Sequence, residues 1–189
     1  MILPGGKPIR IEGSQICLQQ LGESHATGDY VRWLSDPKVN RYLDTVKTSI
    51  PELRQFIKEK NASADCLFLG IFDKQSGKHI GNIKLEPMPY DIGRRRTAIG
   101  VLIGETSYWG RGVATEAIKL IVDWGFSHMP LDEIYAGFIA GHEKSKAAFE
   151  KNGFSHLKTE ERSDNPFRKK RKEERLYLFR SEWEKKKQG

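Results

Sequence analysis

Apolar and polar positions alternate from Gln15 to Leu21, with Ile16 and Leu18 set against Cys17 and Gln19, and this period of two predicts a first strand. Ser24–Leu34 reads as a helix with Ser24 as its cap and Asp36-Pro37 closing it. Ile50-Pro51-Glu52 opens a second helix, since proline suits a first helical turn, and Leu53, Phe56 and Ile57 fall on one face. Cys66–Phe72 and His79–Leu85 read as strands joined in a hairpin by the polar, glycine-bearing turn Asp73–Lys78. Another strand at Thr97–Ile103 runs into a glycine-rich loop, Gly104–Gly112. The period then changes to helical, with Val113, Ala117, Leu120, Ile121 and Trp124 on one face and Pro130 as the stop. Glu133–Ile139 returns as a strand. Glu143–Asn152 is a short helix ended by Gly153, a residue suited to a left-handed position, and the segment around Leu176 and Leu178 is the last strand. A strand–helix–strand unit set among hairpins predicts one α/β (α+β) domain, residues 1–189, around a single central sheet.

The remaining chemistry narrows this reading. With 189 residues and 38% hydrophobic side chains, the chain has enough apolar material for one core, and its uninterrupted apolar stretches are strand-sized. The start at Met1–Gly6 shows no basic segment leading into an apolar one, so no signal peptide is expected. Cys17 and Cys66 stand far apart and have no metal-type spacing with His or Cys, so neither a metal nor a disulfide framework is expected. A reduced, cytoplasmic enzyme fits, with no membrane partner. The net charge of +7 is uneven: residues 158–189 hold 12 Lys/Arg against 7 Asp/Glu, whereas the preceding body is close to neutral. The run Arg168-Lys169-Lys170-Arg171-Lys172 reads first as a solvated loop, and otherwise as an attractor for phosphates. The body lacks basic residues interleaved with aromatics, which disfavours a nucleic-acid partner.

The informative stretch is Gly104-Glu105-Thr106-Ser107-Tyr108-Trp109-Gly110-Arg111-Gly112-Val113-Ala114-Thr115-Glu116-Ala117. A strand feeds a loop with two glycines, and that loop opens the longest amphipathic helix. Glycine lets the backbone turn tightly and lets a ligand come close, and the first amides of a helix point outward without internal partners. Together they make an anion cradle suited to a pyrophosphate, to which Arg111 adds a cation and Thr115 a hydroxyl. No Gly-Lys-Ser/Thr follows, so it is not a Walker loop. The glycine spacing also fails the dinucleotide fingerprint.

With Trp33-Leu34-Ser35-Asp36-Pro37-Lys38-Val39 before it and Phe149-Glu150-Lys151-Asn152-Gly153-Phe154 after it, this segment resembles the GNAT N-acetyltransferases, and more narrowly their RimJ/RimL-like branch. The family signature is Arg/Gln-x-x-Gly-x-Gly/Ala; here Gly112 and Ala114 match and Trp109 stands in the opening position, as it does in that branch. The resemblance covers about Gln15 to Trp183. It implies a mixed, mostly antiparallel sheet, splayed where acetyl-CoA enters, with helices on both faces. It also implies an acyltransferase that moves the acetyl group of acetyl-CoA, a co-substrate, to an amine. The residues it assigns to the coenzyme are Val101, Leu102 and Ile103 beside the pantetheine arm, Trp109, Gly110, Arg111, Gly112, Val113, Ala114 and Thr115 at the pyrophosphate, and His142, Ser145 and Phe149 from the last-helix motif.

Three departures bear on catalysis. Ala98 stands where many relatives carry a basic Glu, Phe149 where many carry a Tyr that protonates the thiolate, and His142 where the RimL-like motif begins with Asn. Glu86, His142 and Ser145 are the remaining candidates for catalytic groups; Glu86 also reads as a solvated strand end and His142 as a helix cap. The resemblance places Trp33, Tyr42 and the loop Tyr42–Thr48 on the acceptor side, although Trp33 equally reads as core. The acceptor implied is a small-molecule or peptide amine. An amino sugar is the leading expectation, including a nucleotide-linked one whose phosphates the basic run would meet. A protein N-terminus is one alternative, and a non-catalytic coenzyme-binding module using its basic tail on an acidic partner is another. A homodimer is compatible with either.

Overall fold

The computed structural model describes residues 8–41, 43, 49–87, 95–162 and 171–188. Eight strands form one sheet: β1 Arg10–Glu12, β2 Ile16–Gln20, β3 Leu67–Asp73, β4 His79–Glu86, β5 Arg96–Ile103, β6 Glu133–Ile139, β7 Ser155–Arg162 and β8 Arg171–Phe179. Their order is β1-β2-β3-β4-β5-β6-β8-β7. Every pairing is antiparallel except β5 with β6, the pair joined by the crossover helix α4 (Val113–His128, below). The hairpin over Asp73–Lys78 and the strand–helix–strand unit therefore stand as the residue pattern predicts.

Helices lie on both faces. On one face, α1 (Gly28–Ser35), α2 (Pro37–Asn40) and α3 (Ile50–Ala62) pack a cluster that includes Trp33, Leu34, Val39, Leu53 and Ile57 onto Phe68 and Phe72 of β3. On the other face, α4 and α5 (Glu143–Lys151) bury Val113, Ala117, Ile118, Ile121, Phe126 and Phe149 against Leu69, Ile83, Ile99, Ile134 and Leu176. The C-terminal helix α6 (Arg180–Gln188) adds Trp183 to that second cluster.

Local chemistry explains where the pattern and the structure differ. The helix expected over Ser24–Leu34 is a 3₁₀ turn at Glu23–His25 followed by α1, because Thr27 takes an extended backbone and its Oγ1 accepts from Tyr30 N (3.3 Å), which caps the helix there rather than at Ser24. The buried stripe of α4 runs through Ile118, Val122 and Phe126, so Leu120 and Trp124 sit at its edge, only partly covered. Strands β1 and β7 and helix α6 carry too few apolar residues to show a period. Arg171 and Lys172 belong to β8 rather than to a loop, and residues 168–170 lie outside the described ones.

The α1-side core contains a buried imidazole. His79 stacks on Phe72 at 4.9 Å and meets Trp33 and Tyr30 edge-on, while its Nε2 lies 3.0 Å from Asn82 Oδ1 and 2.9 Å from the Gly81 carbonyl. Burial lowers its pKa to about 4, against the raising effect of those two hydrogen bonds. A histidine depressed in the folded state contributes stability above its unfolded value near 6.5, and that stability is lost as pH falls toward 4. We therefore expect denaturant stability to drop by about 2 to 3 kcal/mol between pH 6.5 and 4. A His79→Phe variant should lack this loss, and an equal loss in that variant would assign it to other groups.

Candidate functional site

The site begins where β5 and β6 part. Their ladder pairs Arg96 with Glu133 through Ile99 with Ala136 and then stops, although both strands continue. Beyond it, Gly100–Ile103 bond only to β4, and Gly137–Ile139 only to β8. Val101–Ile103 thus have no β6 partner and border a slot that opens toward the strand ends. An extended chain of amide-bearing atoms can enter such a slot as an added strand.

At the open end, β5 leads into the glycine loop. Gly110 and Gly112 have φ of +76° and +79°, values that L side chains rarely adopt, and Gly112 is the N-cap of α4. The first helical bond runs from Glu116 N to Gly112 O (3.0 Å), which leaves the amides of Val113, Ala114 and Thr115 ahead of the ladder. Trp109 is 37% exposed, and its Nε1 donates to Ile103 O (2.8 Å), pinning the loop back onto the end of the slot strand. The Arg111 guanidinium lies over the Tyr108 ring at 5.4 Å. Beside it opens a cleft of about 480 Å³, lined by Ser14, Gln15, Asp73, Lys74, Gln75, Tyr108 and Arg111.

The cradle is braced from the β1–β2 turn, a support that the residue pattern does not reveal. Glu116 Oε1 accepts from Ser14 N, Ser14 Oγ (3.0 Å) and Gln15 N (3.1 Å), and Gln15 Nε2 donates to Arg111 O (3.4 Å). Burial raises the Glu116 pKa, but these donors outweigh it and hold the group below the usual carboxylate range. A charged Glu116 thus ties two distant segments under the loop.

The expected catalytic candidates do not converge on one point. Glu86 stands directly across from Ala98 on the neighbouring strand, but Lys60 Nζ (2.6 Å) and Lys84 Nζ both hold its carboxylate. Burial raises its pKa, and the two lysines more than reverse that, so it is a weak proton acceptor. His142 is the N-cap residue of α5, and its carbonyl accepts from Ser145 N (2.9 Å). Burial lowers its pKa, with the charges of Arg41 and Lys144 adding to the effect, so its ring is neutral at pH 7. Phe149 is only 3% exposed and stacks parallel to Phe138, so it serves the core. Trp33 is likewise 3% exposed; its ring packs so closely on Gly104 that a Cβ there would stand 2.3 Å from it. Of the two readings of Trp33, core and acceptor side, the buried ring agrees with core. Tyr42 and residues 44–48 lie outside the described residues.

The structure also gathers groups beside the slot that the residue pattern misses. On the face of the sheet that carries α1–α3, Tyr135, Gly137 and Ile139 of β6 lie opposite Tyr177, Arg175 and Glu173 of β8. The Arg175 guanidinium sits 5.6 Å over the Tyr135 ring and 3.5 Å from Glu173 Oε2. Among the described residues, no group of three or more His, Cys, Asp or Glu is placed to hold a metal ion, and no helix is long and apolar enough to cross a membrane.

Comparison with known proteins gives concordant findings. A family model described as an acetyltransferase (GNAT) domain matches residues 15–155. An N-acetyltransferase 9-like protein of Nematostella vectensis is 24% identical over 165 residues, covering 81% of each chain. Among solved structures, a GNAT-family acetyltransferase from Bacillus anthracis superposes with a TM-score of 0.80 at 17% identity, covering 92% of this chain and 100% of that one. The microcin C7 self-immunity acetyltransferase MccE, solved with acetyl-CoA and AMP, superposes with a TM-score of 0.74 at 18% identity, covering 88% and 93%.

Proposed function

The chain belongs to the GNAT acetyltransferase family, and from that premise we propose that it acetylates the primary amine of a small polar molecule, an amino sugar in the first place, nucleotide-linked forms included. The family uses acetyl-CoA, so the protein is an acetyl-CoA-dependent N-acetyltransferase. The site fits that co-substrate on two counts: a slot between β5 and β6 where their ladder stops, and a left-handed glycine loop that aims helix-start amides outward. We assign the slot strand Val101–Ile103 to the pantetheine arm. To Gly110–Thr115, with the Arg111 guanidinium, we assign the pyrophosphate, and to His142 and Ser145, at the start of α5, the slot mouth. When bound, the co-substrate supplies an acetyl group already activated as a thioester.

The observation that carries the acceptor reading is the lining of the open face. Gly100 and Gly137 present no side chain of their own there, and the neighbouring side chains are Lys84, which lies against Gly100, Tyr135 and Glu173, which lie against Gly137, and Glu86 and Arg175 beside them. Charges of both signs beside a phenol ring suit a compact, many-hydroxyl amine better than an apolar one. The sequence Trp109-Gly110-Arg111-Gly112, followed by Ala114-Thr115-Glu116-Ala117, supports placing the chain in the RimJ/RimL-like branch, and a cytoplasmic location belongs to the same proposal.

Thiol release from acetyl-CoA over a panel of free amino sugars, nucleotide-linked amino sugars, polyamines and peptides with free N-termini tests the reading. Turnover on the sugars, inhibited by UDP or dTDP when the acceptor is nucleotide-linked, is the expected result. Turnover confined to peptides would overturn the acceptor class. Tight coenzyme binding with no turnover, together with salt-sensitive binding to nucleic acid, would overturn the enzymatic role of the acceptor face.

A further inference from the structure

Transfer from a thioester to an amine needs two proton movements. As the nitrogen–carbon bond forms and the carbon–sulfur bond breaks, the nitrogen must lose one proton and the sulfur must gain one. The positions where a carboxylate and a phenol are expected hold Ala98 and Phe149, and Phe149 is sealed in the core. Glu86 is occupied by two lysines. Strand β6, on the far side of the slot, offers further groups for these two movements.

The β6–β8 register identifies that element. Gly137 is the first residue of β6 past the last ladder pair with β5, and it is exposed. On the open face beside it, a methyl group built on Gly137 would stand 3.0 Å from Tyr135 Oη and 3.2 Å from Glu173 Oε1. Two oxygens of opposite proton chemistry thus converge on one point at the narrow end of the slot. Arg175, paired with Gly137 across the ladder, holds the arrangement from behind, over the Tyr135 ring and against Glu173. Glycine at 137 is what lets both oxygens come this close to the strand, since a Cβ there would press on each of them.

We propose that Tyr135 and Glu173 form the proton-handling pair of this enzyme: Glu173 accepts the proton of the attacking nitrogen, and Tyr135 donates its hydroxyl proton to the departing sulfur. The proposal rests on the acetyltransferase reading above. The balance closes within the pair, because the proton on Glu173 then passes to the Tyr135 phenolate and restores both groups. Transfer from a phenol near 10 to a thiolate whose thiol lies near 8.5 is uphill by about 1.5 pH units, and the step is driven by the protonated carboxyl, a much stronger acid, which reloads the phenolate. Tyr135 and Arg175 neighbour Glu173, Lys84 and Glu86 lie across the slot on β4, Lys158 and Glu160 of the neighbouring strand β7 pair with Arg175 and Glu173, and Lys146 is directed to Glu174 on the opposite face.

Two measurements on the full chain test the proposal. In steady-state turnover, Tyr135→Phe, which keeps the ring under Arg175, should lower kcat by about a hundredfold while the calorimetric affinity for acetyl-CoA stays within about twofold. Glu173→Gln should lower kcat at pH 7 by about tenfold or more and recover as pH rises and the acceptor amine deprotonates unaided. The second readout needs no acceptor: the ultraviolet absorbance of the thiolate of bound CoA, titrated with pH. If Tyr135 Oη donates to that sulfur, its midpoint should move up by about one pH unit in Tyr135→Phe. An unchanged midpoint overturns the assignment even if kcat falls, because the hydroxyl then serves the acceptor instead. If wild type turns over none of the amines, the acceptor reading has failed while the thiolate midpoint still decides the role of Tyr135.

Discussion

Placing an aspartate at position 112 is expected to abolish coenzyme binding in a protein that still folds. Gly112 has φ of +79°, and a Cβ there would meet no atom closer than Gln15 Nε2 at 3.8 Å. The fold therefore has room for a side chain, and the cost of Gly112→Asp is the left-handed backbone, about 1 to 2 kcal/mol. Aspartate tolerates that region better than most residues, which keeps the cost toward the low end. The ligand has no such room. A carboxylate in the cradle competes for the amides of Val113, Ala114 and Thr115 and repels each phosphate. We expect calorimetric affinity for acetyl-CoA to fall more than a hundredfold with the far-ultraviolet circular dichroism spectrum retained. Gly112→Ala separates the two effects, since it brings the backbone cost without the charge and should lose much less affinity. Unchanged affinity in a folded Gly112→Asp protein would move the pyrophosphate site elsewhere.

The legibility of this site in the sequence follows the range of the interactions that build it. The cradle is local: two glycines, a strand before and a helix after are contiguous, so their geometry is written in fourteen consecutive residues. The hairpin at Asp73–Lys78 and the Ser49-capped helix α3 are legible for the same reason, since in each the signal and the structure occupy the same turn. The slot is only half legible. That β5 leads to α4 and β6 is plain from the change of period, but the end of the ladder at Ile99 and Ala136 depends on how two strands twist apart.

What the sequence hides is long-range or polar. Strand β7, Ser-His-Leu-Lys-Thr-Glu-Glu-Arg, pairs only with β8, and as an edge strand it needs no apolar alternation to be stable. Glu86 looks free as a strand end; its Lys60 partner comes from α3, across a helix and a strand. Tyr135 and Glu173 are 38 positions apart and share a face only because β8 lies between β6 and β7, an order that no local pattern dictates. Trp33 shows why the sequence left two readings open: a helix-end ring can be exposed or buried, and what buries it is distant, since Gly104 lacks a side chain and the indole packs on it.

One connection that ties the elements of this site together lies at the far end of α4. Arg180 opens α6, and its guanidinium donates to Phe126 O (2.7 Å), Leu131 O (2.7 Å) and Met129 O (2.9 Å), while lying 5.3 Å over the Phe126 ring. Those carbonyls end α4 and begin the turn to β6, where a helix leaves its last acceptors unsatisfied and its dipole is negative. One cation therefore caps the crossover helix and fixes the C-terminal helix and the start of β6 to it. Trp183 Nε1 adds a bond to Asp123 (2.6 Å) one turn further along. Hydrogen bonds to a charged donor contribute about 1.5 to 3 kcal/mol each when buried, and Arg180 is partly exposed, so their sum is discounted. Arg180→Ala is expected to cost about 3 kcal/mol in denaturant unfolding, and Arg180→Lys most of that, because an ammonium cannot reach three diverging carbonyls as a planar guanidinium does. Near-wild-type stability in Arg180→Ala would show that the apolar packing of Trp183 and Phe126 holds this corner without the cap. A loss restricted to Arg180→Ala, with Arg180→Lys intact, would show that the charge at the helix end matters and the fork does not.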